Sequence, residues 1–213
     1  MLIFLSILKL KKSSFASEGL LTAKPHLSAE KFIGIKYTSN GKGTVRVGDG
    51  TSTMNNAISL CPASLIVPDQ IVDNGEILKV TEIGPWAFYN CDSLVSVSIG
   101  ANVKIIGEYA FSDCDYLSSI TFEKGSSLEV IENRAFSWCS VESLEIPSSV
   151  KSIGENAFNS RGKLSTVVYC GSNFINNKVF CKDPPKVYVT SNYKHGVFGG
   201  VKVVVSDNVC KIN

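Results

Sequence analysis

Ile83-Gly84-Pro85-Trp86-Ala87-Phe88 returns as Ile106-Gly107-Glu108-Tyr109-Ala110-Phe111, as Ile131-Glu132-Asn133-Arg134-Ala135-Phe136 and as Ile153-Gly154-Glu155-Asn156-Ala157-Phe158. The steps between the leading isoleucines are 23, 25 and 22 residues. A period of that size marks a solenoid, in which each unit is too small to bury its own apolar face and leans on the next. Within a unit the apolar period changes. Ile83, Ala87, Cys91 and Leu94 are four, four and three apart, which predicts one face of a short helix or helical turn, with Phe88 beside it. Val97 and Ile99, Ile120 and Phe122, Leu144 and Ile146, and Val167 and Tyr169 then alternate, as a short strand with one buried face does. Short extended pieces at 80–83, 103–106, 128–131 and 150–153 close the coils. Stacking coils places the strands in parallel at about 4.8 Å and lines up Phe88, Phe111, Phe136 and Phe158 as a spine.

Outward from this array the pattern decays on both sides. Residues 31–79 predict a β-rich N-terminal cap. Ser39-Asn40-Gly41-Lys42-Gly43 lies between the β-prone runs 33–38 and 44–47, a hairpin signal. Leu65-Ile66-Val67-Pro68 followed by 78–83 reads as a worn first repeat. Four clear repeats occupy 80–174. Residues 175–213 read as degenerate repeats and a second cap: Ile175 to Phe180 and Tyr193 to Phe198 keep part of the phase, Arg161 stands where a cysteine is expected, and Val201, Val203 and Val205 alternate as a last strand. Residues 1–30 form a leader. Met1 to Leu8 is an apolar run with Ser14-Phe15-Ala16 behind it, but the lysines follow the run instead of preceding it, so a cleaved signal and an unpacked leader both stand.

The unit Ile-Gly-x-x-Ala-Phe-x-x-Cys-x-x-Leu-x-x-Ile-x-Ile closely resembles the BspA-like class of leucine-rich repeats. Cys91-Asp92-Ser93-Leu94 and Ile146-Pro147-Ser148-Ser149-Val150-Lys151-Ser152-Ile153-Gly154 carry the likeness most plainly. Departures are a residue lost after Cys139, Arg161 for cysteine and Glu132 for glycine. The resemblance implies one leucine-rich repeat solenoid over 31–213 and an adhesin-like surface or secreted role toward host matrix proteins, host cells or other microbes. A cytoplasmic protein-protein interaction scaffold on the same fold is the alternative, and a β-helical carbohydrate-active enzyme is the third reading.

Composition narrows the chemistry. The 213 residues are 44% hydrophobic and 19% charged, an ordered composition, with a net charge of +2. No block of like charge points to nucleic acid, and no apolar run reaches the roughly 20 residues that span a bilayer. Only two histidines occur, His26 and His195, which leaves little for a Ser/His/Asp or Cys/His site. No cysteine or histidine spacing suggests a metal, and no cofactor is implied. Asp113 and Asp115 flank Cys114 as a glycosidase or calcium pair would, although their phase places them on solvated turns. Gly41, Gly43, Gly48 and Gly50 lack the Gly-Lys-Ser/Thr of a phosphate loop and read as turn glycines.

Seven cysteines cannot all pair within the chain. Cys91, Cys114 and Cys139 recur in phase with Ile, Ala and Phe and read as small buried hydrophobes. Cys170, Cys181 and Cys210 lie outside that ladder, where a pair is feasible in an exported protein. Cys210-Lys211-Ile212-Asn213 has the layout of a prenylation box with an atypical last residue.

What remains is binding. The strand residues that point away from the core form a ladder of Ser96 and Ser98, Ser119 and Thr121, Ser143 and Glu145, and Thr166 and Val168. Small hydroxyls in register make a flat, weakly charged strip suited to a protein or glycan, and they are also what an exposed strand tolerates.

Overall fold

The structure is a computed structural model and describes residues 35–49, 61–160, 162–181 and 183–211. The leader at 1–30 with its signal-like run and His26, together with Ile33, Gly50, Arg161, Ile212 and Asn213, lies outside the described residues. All the described residues fall within one compact unit, Phe32–Asn213.

Among the described residues the chain forms strands and no helix. It begins with an antiparallel hairpin of β1 (Tyr37–Gly41) and β2 (Thr44–Val47), then β3 (Ser64–Val67). A second hairpin follows, β4 (Gln70–Asp73) and β5 (Glu76–Ile83), around Asn74-Gly75. Both turn residues have positive φ, 50° and 85°, the geometry for which Asn-Gly is favoured between strands. The array continues with β6 (Ser96–Ile99), β7 (Ile105–Ile106), β8 (Ser119–Phe122), β9 (Val130–Ile131), β10 (Ser143–Ile146), β11 (Ser152–Ile153) and β12 (Thr166–Tyr169). It ends with β13 (Lys186–Val189), β14 (Val197–Phe198) and β15 (Val201–Val205).

Coils stack in parallel and in register. The short closing strands make one sheet, β2-β5-β7-β9-β11, with the first hairpin's β1 at one edge and β4 beside β5. The longer strands make two, β3-β6-β8 and β10-β12-β13-β15-β14. Register is residue for residue: Ser96 opposes Ser119 and Val97 opposes Ile120, while Leu144 opposes Val167 and Val167 opposes Val187. Ser143 and Thr166 therefore share a row, as the alternation requires.

Where the four-four-three spacing points to a helix or helical turn, the chain runs as successive tight turns. Trp86, Phe88 and Asn90 donate their N–H groups to the carbonyls of Glu108, Ala110 and Ser112 in the next coil (3.0, 2.7 and 2.9 Å). Ala87 and Tyr89, between them, close back on Gly84 and Trp86 three residues earlier. Tyr109, Phe111 and Asp113 repeat the pattern onto Asn133, Ala135 and Ser137. An α-helix would spend those N–H groups four residues back within its own segment; here they tie coil to coil. Left-handed residues at Trp86 and Asn90 (φ 57° and 55°) reset the chain every four positions. That gives a helix-like apolar spacing without a helix.

The core repeats with the sequence. The leading isoleucines, the alanines and the phenylalanines of all four units are buried. Phe88, Phe111, Phe136 and Phe158 stack with centroids 5.0, 5.1 and 5.6 Å apart. Cys114 and Cys139 behave as the small hydrophobes expected, their thiols donating to the carbonyls of Phe88 and Phe111 (3.2 Å each). Cys91 does not: although buried in the same phase, it is joined to Cys61 in a disulfide. Cys61 precedes the array, so periodicity carries no trace of the pairing. Cys170 pairs with Cys210, which takes up the sulfur that a prenyl group would need and removes the lipidation reading.

Candidate functional site

The outward rows of the longer strands place the predicted binding residues as follows. Ser119, Thr121 and Ser143 are exposed, while Ser96, Ser98, Glu145, Thr166 and Val168 are half-buried. Ser96, Ser98, Ser119 and Thr121 sit together on β6 and β8, with Ser64 and Ile66 of β3 continuing their rows. The Ser96 hydroxyl donates to that of Ser64 (3.0 Å), and Thr121 Oγ1 donates to the Val97 carbonyl (3.3 Å). Ser143, Glu145, Thr166 and Val168 sit on β10 and β12, with Lys186 and Tyr188 of β13 and Val204 of β15 extending the rows.

β8 and β10 do not pair, so the eight residues form two adjoining ladders. Four residues separate Cys114 from β8, whereas three separate Cys139 from β10. This missing residue coincides with the interruption. Lys186 and Tyr188 were legible in the alternation of 186–189, but lay beyond the last clear repeat.

The other candidates resolve into local structure. Asp113 Oδ2 accepts from the Ser112 hydroxyl (2.8 Å). Partial burial, then the charge of Asp113 and its hydrogen bond, raise the Tyr89 phenol above its ordinary range. Burial pushes the Cys114 thiol up to about 12 and raises Cys139 in the same direction, so neither offers a thiolate nucleophile. His195 packs on the rings of Phe174 and Tyr193 (4.5 and 5.2 Å). Glu145 lies beside the sulfurs of Cys170 and Cys210. Those sulfurs are bonded to each other, so the group is not a thiolate ligand set.

Two clefts border the third coil. One, of about 350 Å³, lies beside Glu108, Glu132, Asn133 and Gly154 on the short-strand side. The other, of about 240 Å³, is walled by Tyr116 and Trp138, with Asp115, Ser140, Ser160 and Lys163 around it. Sequence periodicity could not find the second, because its aromatic residues occupy positions at which no other coil carries an aromatic.

Residues 81–191 match the family described as BspA type leucine rich repeat region, in six copies. No curated protein is significantly similar. Among solved structures the chain is similar to a leucine-rich repeat protein from Bacteroides capillosus at 28% identity and TM-score 0.49, covering 60% of this chain and 87% of that one. It is similar to the pneumococcal vaccine antigen PcpA at 22% and 0.55, covering 75% and 48%. It is also similar to a leucine-rich repeat protein from Eubacterium ventriosum at 20% and 0.52, covering 76% and 43%. The chain thus spans less than half the length of the last two, and at those identities the likeness is one of fold.

Proposed function

Because the chain belongs to the BspA type leucine-rich repeat family, we propose that it is a non-enzymatic, adhesin-like surface or secreted protein that recognises a protein or glycan through its outward strand face. The in-register rows of Ser96, Ser98, Ser119 and Thr121, and of Ser143, Glu145, Thr166 and Val168, support this reading most directly. Parallel strands hold the side chains at a fixed spacing of about 4.8 Å, so the face meets a partner already ordered and loses little entropy on binding. Its hydroxyls donate and accept without the desolvation penalty of a charge.

The disulfides Cys61–Cys91 and Cys170–Cys210 favour an oxidising compartment over the cytoplasmic scaffold. Among the described residues no helix is long and apolar enough to cross a membrane. The test is capture of immobilised matrix proteins and intact cells by the native chain and by a Ser119→Arg/Thr121→Arg/Ser143→Arg variant. Capture abolished in the folded variant is the expected result, and capture retained removes the face. Protease shaving of intact cells releases the protein if it is displayed, and leaves it whole if it is a cytoplasmic scaffold.

A further inference from the structure

The smaller cleft sits where the repeat is most altered. Tyr116, Ser140 and Lys163 each stand three positions ahead of a long strand, β8, β10 and β12, so the cleft lies at the margin of the strand face, across the interruption between β8 and β10. Its two walls are aromatic and open to solvent, Tyr116 at 66% exposure and Trp138 at 44%. Trp138 also differs from its counterparts in residue type. The same left-handed position is held by Asn90 and Asp113 in the two preceding coils (φ 55° and 61°), residue types that accept it readily. Trp138 adopts it at φ 67° and remains 44% exposed; bulky residues are left-handed elsewhere in the array, at Trp86 and Tyr109, but there the two rings stack on each other at 4.2 Å. An exposed aromatic where the preceding coils carry Asn and Asp points to a role outside folding.

The polar groups around these rings are organised. Lys163 Nζ donates to Ser140 Oγ (2.8 Å), and the Ser140 hydroxyl donates in turn to the Asp115 carbonyl. Ser160 Oγ accepts from the Leu164 N–H (2.9 Å). The Lys163 ammonium, the Ser140 hydroxyl and the Asp115 main-chain carbonyl are thus linked in the lining that Tyr116 and Trp138 share. The negative face of an aromatic ring attracts the polarised C–H groups of a saturated ring, while hydroxyls in the plane of that ring find donors and acceptors at the cleft edge. The acidic Asp115 in this lining disfavours a phosphate, and the charges of Asp115 and Lys163 disfavour a lipid. A cleft of about 240 Å³ is below the roughly 300–1,000 Å³ of sites for larger ligands, so it takes one ring. We propose that this cleft is a binding site for a neutral pyranose at the end of a glycan, stacked on Tyr116 and Trp138 and hydrogen-bonded by Asp115, Ser140 and Lys163. It is independent of the strand face and would stand if that face bound nothing.

Saturation-transfer difference NMR of the full, disulfide-intact chain tests it, with methyl galactopyranoside, methyl glucopyranoside and diacetylchitobiose as probes. The expected result is saturable transfer to at least one of them, with Kd of about 1 mM, as suits a single ring. Tyr116→Ala, which disturbs no core, should weaken it by about tenfold or more. Trp138→Asn, which restores the residue type the backbone prefers, should abolish it while Tm holds or rises. The Ser119→Arg/Thr121→Arg/Ser143→Arg variant should keep it. No transfer to any of the three sugars overturns the site, as does transfer unchanged in Tyr116→Ala.

Discussion

In the second coil a glycine follows the leading isoleucine (Gly107), an aspartate holds the left-handed position before the cysteine (Asp113), and four residues lead from Cys114 to the strand. In the third coil the same places carry Glu132, Trp138 and three residues. Beneath these differences the two coils coincide. Ala110 and Ala135 are equally buried, and Phe111 and Phe136 stack at 5.1 Å with their planes 2° apart. Both clefts and the break in the strand ladder lie against the third coil. Stacking thus constrains the apolar layers tightly and the perimeter loosely, so local changes can shape a surface without disturbing the core.

If that division is right, the largest effects will be the same in both coils. Phe111→Ala and Phe136→Ala each remove a ring from a closed stack and should each cost about 3–5 kcal/mol by urea denaturation with disulfides intact. A much smaller loss for Phe136→Ala would show that the third coil's core is loosened along with its surface.

The perimeter should separate the coils. A Cβ on Gly107 would lie 2.6 Å from the Pro85 nitrogen and 2.8 Å from the Gly84 carbonyl carbon. Backbone cannot swing aside as a side chain does, so Gly107→Ala should cost about 1–3 kcal/mol. At the matching position of the third coil a side chain is already accommodated, its Glu132 Oε2 accepting the Glu108 N–H (2.8 Å). Glu132→Ala should therefore cost only about 1 kcal/mol, the worth of that hydrogen bond. Equal losses in the two would mean that the coils approach one another as closely at the third as at the second.

The same division explains what could be read in advance. Ile, Ala and Phe at a fixed step have one physical solution, layers that bury one another, so the solenoid and its parallel strands were legible. The turns were not, because positions four apart line up both on a helix and in a chain reset by left-handed residues such as Trp86 and Asn90. Cys91 was misread because a half-cystine and a buried thiol fill one core position equally well, and only Cys61, outside the period, distinguishes them. Asn74-Gly75 carries a local hairpin signal that lies outside the repeat period. Tyr116 and Trp138 belong to no period at all, and a site made by departure from a pattern becomes visible only when the coils are placed side by side.

The finest test asks whether the third coil's open surface reaches its core. Cys139 borders the aromatic cleft yet is only 2% exposed, against 0% for Cys114, which lines neither cleft. Burial first, opposed by a weaker backbone hydrogen bond, raises both thiols, that of Cys114 to about 12. An unfolded thiol ionises near 8.5. Below that pH both states keep their protons and stability is unaffected. Between there and about 12 the unfolded chain holds fewer protons than the folded one, so stability falls as pH rises, by at most about 1.4 kcal/mol per pH unit for each thiol. Comparing urea midpoints at about pH 8 and pH 10, in a Cys181→Ser background that removes the exposed thiol able to attack the disulfides, should show the loss. Cys114→Ala and Cys139→Ala should each reduce it by a similar amount. At the lower pH iodoacetamide should label Cys181 in the native chain and spare both Cys114 and Cys139. Labelling of Cys139 alone would show that the cleft opens inward, and the claim that core and perimeter vary independently would fail at the coil that motivates it.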